Sequence, residues 1–186
     1  MSDSIKKYHE MMEDENWTAD STGYSYNNLP KDPIVERVVN KFVHFRVQSS
    51  YSMLESTIKI DHLIDLAKKN EMDTVCLSDR GNLFASLEFS TAAAKASVQP
   101  IHASILNILF SNNGGNDFAE ILLIAKDEVG YQNLLKLVSL TFTQNDRKIC
   151  NHINFDDLQK YNEGIVVLSA YTEGVVGKLL IESSKD

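Results

Sequence analysis

The apolar positions of this 186-residue chain switch between the two-residue rhythm of strands and the three-to-four-residue rhythm of helices. Phe42, Val43, Phe45 and Val47 form a β-rich run that ends at the polar cluster Gln48-Ser49-Ser50, which predicts a strand running into a loop. Ile60, Leu63, Ile64 and Ala67 then share one face of a predicted helix from Ile60 to Asn70. Thr74 to Ser78 reads as a short buried strand and Asp79-Arg80-Gly81-Asn82 as a turn. Leu83 to Ser97 follows as an alanine-rich helix with Leu83, Leu87 and Ala94 along one side.

Farther on, Ile101 to Phe110 and Glu120 to Ala125 read as two strands of a hairpin, reversed at Ser111 to Asn116, where Gly114 and Gly115 suit a turn. Asp127 is placed to cap a helix reaching Phe142, with Tyr131, Leu134, Leu135 and Val138 toward the core. Phe155 to Tyr161 predicts a short helix, Gly164 to Leu168 a buried strand, and Val175 to Ile181 a last helix. About five strands alternating with helices imply an α/β fold with mainly parallel strands, whose chemistry sits in loops at the strand C-terminal ends.

Composition narrows the functional classes. With 18 basic and 26 acidic side chains the formal charge is −8, so autonomous binding to a nucleic-acid backbone is not expected. Residues 1–40 are acidic, rich in turn formers and without apolar periodicity, and are expected to form a flexible N-terminal extension. The domain proper is expected over residues 41–186. Cys76 and Cys150 offer neither a disulfide framework nor a four-cysteine zinc site. The N-terminus lacks the basic start and apolar run of a signal peptide, and no run approaches the ~18 apolar residues of a membrane span, so a cytoplasmic location is expected.

Read in order, the segments Phe42-Val-His-Phe-Arg-Val-Gln-Ser-Ser-Tyr-Ser-Met-Leu-Glu55 and Leu77-Ser-Asp-Arg-Gly-Asn-Leu-Phe84 with Leu87-Glu-Phe89 carry a resemblance. It continues through Gln99-Pro-Ile101, Leu123-Ile-Ala-Lys126, Gly130-Tyr-Gln-Asn-Leu-Leu135 and Glu163-Gly-Ile-Val-Val-Leu-Ser169. This ordered set resembles the polymerase and histidinol phosphatase (PHP) domain that opens the replicative DNA polymerase III alpha subunits of bacteria. The resemblance implies an incomplete, distorted β/α barrel. In the family, up to three divalent metals such as zinc or manganese sit at the strand C-terminal ends and support phosphoesterase or 3′-exonuclease chemistry.

The ligand positions of that family fall here on Arg46, Gln48, Asp79, Arg80, Ile105, Glu120 and Tyr171. Of these only Asp79 retains the family residue. A protonated guanidinium cannot ligate a metal, so no metal, no cofactor and no catalytic residue are expected. Arg46 and Arg80 are instead expected to replace the cations by pairing with Asp79 and Glu120, which makes Arg46→Met destabilising. The resemblance places the family's remaining ligands and the polymerase palm, thumb and fingers beyond Asp186. The chain is therefore expected to be a truncated or split N-terminal portion of the polymerase in DNA replication, with a structural or protein-interaction role. Expected partners are the remaining alpha polypeptide or the proofreading subunit. A residual metal-dependent phosphoesterase using Asp79 and Glu120, a non-functional relic of a broken polymerase gene, and an adaptor role for residues 1–40 on a basic surface are the alternatives.

Other reactive side chains fit ordinary roles better. His44, His62, His102 and His152 match no family ligand and show no i, i+4 zinc spacing. Ser49, Ser50 and Ser52 lack a nucleophile elbow and read as loop-capping residues.

Overall fold

The computed structural model describes residues 42–110, 117–143 and 150–184. The predicted extension over residues 1–40 and the turn at Gly114 and Gly115 lie outside the described residues. The elements run α1 (Ile60–Lys69), β1 (Thr74–Arg80), α2 (Ser86–Lys95), β2 (Gln99–Phe110), β3 (Asp117–Ala125), α3 (Glu128–Thr143), α4 (Phe155–Lys160) and β4 (Ile165–Ser169). A 3-10 turn (Tyr171–Glu173) and α5 (Val175–Ser183) follow.

The four strands form one open sheet in the order β1-β2-β3-β4. β1 and β2 are parallel through the α2 crossover, whereas β3 is antiparallel to both β2 and β4. Three strands thus share a direction, as the mainly parallel reading requires. Two of the three ladders are nonetheless antiparallel, because the β2–β3 hairpin puts a reversed strand between them.

The sheet has two different faces, set by strand alternation. On one, Val75 and Leu77 pack with Ile60, Leu63 and Ile64 of α1 and Phe89 of α2, while Leu106, Ile108, Ile121 and Leu123 pack with Leu134, Leu137 and Val138 of α3. On the other, Cys76, Ala103, Ile105, Leu122 and Ile124 form a third cluster, against which Val43 packs. Cys76 is fully buried, and desolvation pushes its thiol up to about 12, so it behaves as a small hydrophobe.

Several expected details change. The run Phe42 to Val47 is no strand: Phe42 and Phe45 face solvent, Val43 packs on the sheet by its side chain, and Val47 meets it by its backbone, its carbonyl accepting the Ser78 N–H at 2.7 Å. The fifth strand is therefore absent from the described residues. In α2 the buried side is Ser86, Phe89 and Ala93; Leu87 and Ala94 are exposed, because an alanine-rich segment has no strong apolar stripe and the single phenylalanine decides the face. In α3 Leu137 is buried and Leu135 points outward, while Tyr131 is half-buried. β4 was expected to be buried, yet Val166, Val167 and Leu168 are each about 40% exposed, since β4 is an edge strand of the open sheet.

Two local predictions hold. The Asp127 carboxylate caps α3 by accepting the Gly130 N–H at 2.8 Å. The α1 face of Ile60, Leu63, Ile64 and Ala67 is buried as its spacing requires. No helix among the described residues is long and apolar enough to cross a membrane.

Candidate functional site

The C-terminal end of β1 and the middle of β3 carry the charged residues that the sequence singles out. Arg80 and Glu120 share the face of Cys76, Ile105 and Leu122, because positions 76, 78 and 80 of β1 and 120, 122 and 124 of β3 alternate in phase. Glu120 accepts from two guanidiniums. Arg80 Nη1 lies 2.7 Å from Oε1 and Arg46 Nη2 2.9 Å from Oε2. Arg80 Nε also meets the Glu55 carboxylate, whose other oxygen accepts the Gln48 side-chain amide at 2.6 Å. Burial alone would raise the Glu120 carboxyl, but the hydrogen bond and charge of Arg80, reinforced by Arg46, hold it below the usual carboxylate range. Burial opposes the Arg80 charge, and Glu120 and Glu55 more than compensate, pushing Arg80 up.

Asp79 does not join this cluster, contrary to expectation. Adjacent strand residues project to opposite faces, and Asp79 is 2% exposed on the helix-covered side. One carboxylate oxygen accepts the Ser49 N–H at 2.7 Å and the Ser52 hydroxyl at 2.6 Å; the other accepts the Ser49 hydroxyl at 2.7 Å. The Ser52 hydroxyl oxygen in turn accepts the Arg80 N–H at 3.0 Å. Ser49 and Ser52 are thus capping residues, and the group they satisfy is this carboxylate. Successive turns from Ser49 to Ser56 bring Glu55 back toward Arg80. The sequence reading missed Glu55, whose only signal was an acid placed a few residues after the serine pair.

The other family positions are dispersed. Ile105 is buried in the sheet at 1% exposure, and Tyr171 is 85% exposed in the turn after β4. His44 sits edge-on to Phe42, His102 is near Ser90, and His152 lies by the Cys150 carbonyl. Among the described residues no group of three or more His, Cys, Asp or Glu side chains is arranged to hold a metal. The donor chemistry agrees: Glu120 is taken by two guanidiniums, Asp79 by three N–H and O–H donors, and the remaining positions carry arginine, glutamine, isoleucine and tyrosine. This set does not fit a hydrolytic metal, which needs three or more free, convergent ligands.

The two arginines contribute unequally. Arg80 is the more enclosed and bridges both carboxylates, whereas 46% of the Arg46 side chain is exposed. Arg80→Met is expected to cost about 1–3 kcal/mol and Arg46→Met less than about 1 kcal/mol. Urea unfolding of the two variants checks this, and equal losses would mean that enclosure does not set the strength of these pairs.

The family model of the PHP domain matches residues 44–186. The chain belongs to the PHP domain family. Its open mixed sheet fits the incomplete, distorted β/α barrel expected from that membership. The PHP region is 58% identical over 146 residues to DNA polymerase III subunit alpha of Rickettsia prowazekii, covering 78% of this chain and 12% of the relative. The corresponding protein of Borreliella burgdorferi is 36% identical over 149 residues, covering 76% of this chain and 13% of the relative. That of Caulobacter vibrioides is 34% identical over 142 residues, covering 74% of this chain and 12% of the relative. The PHP chain therefore spans only 12–13% of the length of these relatives.

Proposed function

We propose that this PHP domain is a metal-independent, non-catalytic module of the N-terminal region of a bacterial DNA polymerase III alpha subunit, acting in DNA replication in the cytoplasm. Its role is structural: it presents a folded surface to the rest of the alpha polypeptide or to the proofreading subunit. The clasp of Arg46 and Arg80 on Glu120 carries this reading. It puts fixed positive charge among the family's ligand positions and neutralises a carboxylate that would otherwise need a cation. A residual phosphoesterase would require Asp79 and Glu120 to leave partners that already satisfy them. The net charge of −8 supports a role exercised through protein contacts, without autonomous DNA binding.

Thermal unfolding of the purified chain with zinc, with manganese and after chelation tests the metal-independent part. A ligand that binds the native state alone must raise the midpoint by mass action. The expected result is one midpoint under all three conditions. A metal-dependent rise, accompanied by chelator-sensitive release of phosphate from a generic ester, would restore the phosphoesterase reading. The interaction role is read in the same preparation by co-elution with a DNA polymerase III alpha polypeptide lacking the matched region, and failure to co-elute would remove it.

A further inference from the structure

We propose that the Tyr51–Leu54 loop and the start of α2 form a docking surface for a separate polypeptide, which binds through an apolar segment bearing basic side chains. The proposal rests on the interaction role above and adds where the domain binds and what chemistry it binds. Four apolar side chains make the surface: Met53, Leu54, Phe84 and Leu87 are 71–106% exposed. Single exposed apolar side chains are ordinary, whereas a group of them marks an interaction site. Tyr51 joins the two halves of the group. Its carbonyl accepts the Asn82 side-chain amide at 3.1 Å and its hydroxyl donates to Glu88 at 3.0 Å, so it spans the stretch that carries Phe84 and Leu87.

The loop is held rigidly in this position. Ser49 and Ser52 are anchored on Asp79, and the Glu55 and Ser56 N–H groups both donate to the Ser52 carbonyl at 3.1 Å. Between them Leu54 has φ +68°, a region that residues other than glycine seldom adopt. The anchored turn thus imposes strain on a leucine whose side chain stands wholly in solvent. No contact within the domain gains from that placement, which points to a partner.

Charge selects the partner. The cluster beside the loop is neutral in itself, with Arg46 and Arg80 set against Glu55 and Glu120. Glu88 is left over, since it forms no ion pair among the described residues. Leu87 also borders a cavity against the β3–α3 junction, whose lining carries Lys126, Asp127 and Glu128, one negative charge in excess. An apolar surface flanked by uncompensated carboxylates is complementary to an apolar segment bearing lysine or arginine. It disfavours a second copy of a chain whose net charge is −8. Topology then separates the surface from the remaining alpha polypeptide. The matched stretch is N-terminal in the longer relatives, so their next residues follow α5 at the β4 edge, opposite the β1 edge from which this loop and turn are hung.

Two peptides test the proposal, each an amphipathic helix with leucines along one face and either lysines or glutamates beside them. They are titrated into the full chain and followed by amide NMR shifts and calorimetry. The lysine peptide should give saturable shifts at Tyr51, Met53, Leu54, Phe84 and Leu87 and bind about fivefold more tightly than the glutamate peptide. Glu88→Gln keeps an acceptor for the Tyr51 hydroxyl and should remove most of that preference. Leu87→Ser should weaken both peptides about tenfold and leave co-elution with the alpha polypeptide intact. No saturable shift, equal binding of the two peptides, an unchanged preference in Glu88→Gln, or shifts centred on β4 and α5 would each overturn the proposal. So would a dimer of the free chain that Leu87→Ser dissociates, which assigns the surface to a second copy, or loss of alpha co-elution in Leu87→Ser, which assigns it to the same polypeptide. Failure of the unaltered chain to co-elute counts against the interaction role alone, and the peptide shifts still decide the surface.

Discussion

Asp79→Ala is expected to lower the unfolding free energy by about 3–5 kcal/mol. The carboxylate is 2% exposed and satisfies the Ser49 N–H and both serine hydroxyls at 2.6–2.7 Å. Truncation removes the acceptor for all three and leaves a cavity beneath the loop, whose other ties are the Asn82 amide on the Tyr51 carbonyl, the Tyr51 hydroxyl on Glu88 and the Arg80–Glu55 pair. The loop also positions Glu55 against Arg80, so the cluster on the opposite face should loosen with it. Asp79→Asn keeps the volume but faces a donor NH2 toward a donor hydroxyl, and is expected to cost about 1–2 kcal/mol. Urea unfolding of both variants decides the matter. A loss below about 1 kcal/mol for Asp79→Ala would show that the serines find water as readily as they find the carboxylate.

Gly130→Ala is expected to cost about 3 kcal/mol or more. The first turn of α3 crosses the entry to β4 so closely that a Cβ at Gly130 would lie 2.5 Å from the Gly164 carbonyl carbon and nearer still to its oxygen. Neither partner can yield. The Gly164 carbonyl accepts the Lys126 N–H at 2.8 Å, and Gly164 itself has φ +70°, a backbone region that side chains rarely enter. Gly81 is the control: it has φ +67° but nothing within 4 Å of a Cβ, so Gly81→Ala should cost only about 1 kcal/mol. Comparing the two thermal midpoints separates steric contact from backbone strain. Equal shifts would mean that α3 moves away from β4 at little cost.

Much of the candidate site was legible because the relevant physics is local or is carried by residue type. A guanidinium is charged wherever it lies, so arginine at family ligand positions already implied a carboxylate partner. The pairing of Glu120 with both arginines follows that logic. The parity of β1 was not available at these positions, because Asp79 and Arg80 read as a turn; in the structure β1 runs on to Arg80, so the two neighbours face opposite sides of the sheet. Nor could parity supply the identity of the group opposite Asp79. The Ser49–Ser56 turns that deliver Ser49, Ser52 and Glu55 depend on contacts between residues about thirty positions apart.

The amino-acid sequence by itself determined the order of elements from Ile60 onward, the buried face of α1, the Asp127 cap and the chemistry offered at each family position. These rest on periodicity, on short-range hydrogen bonds and on the side chains themselves. Only the tertiary structure decided that Phe42 to Val47 stays outside the sheet, which face of α2 is buried, and that the apolar β4 lies at an exposed edge. An apolar strand reads alike whether or not a neighbour covers it. Likewise, Glu55 joins Arg80, and Gly130 touches Gly164, only once distant segments have packed, because hydrophobic burial is non-directional and names no partner in advance.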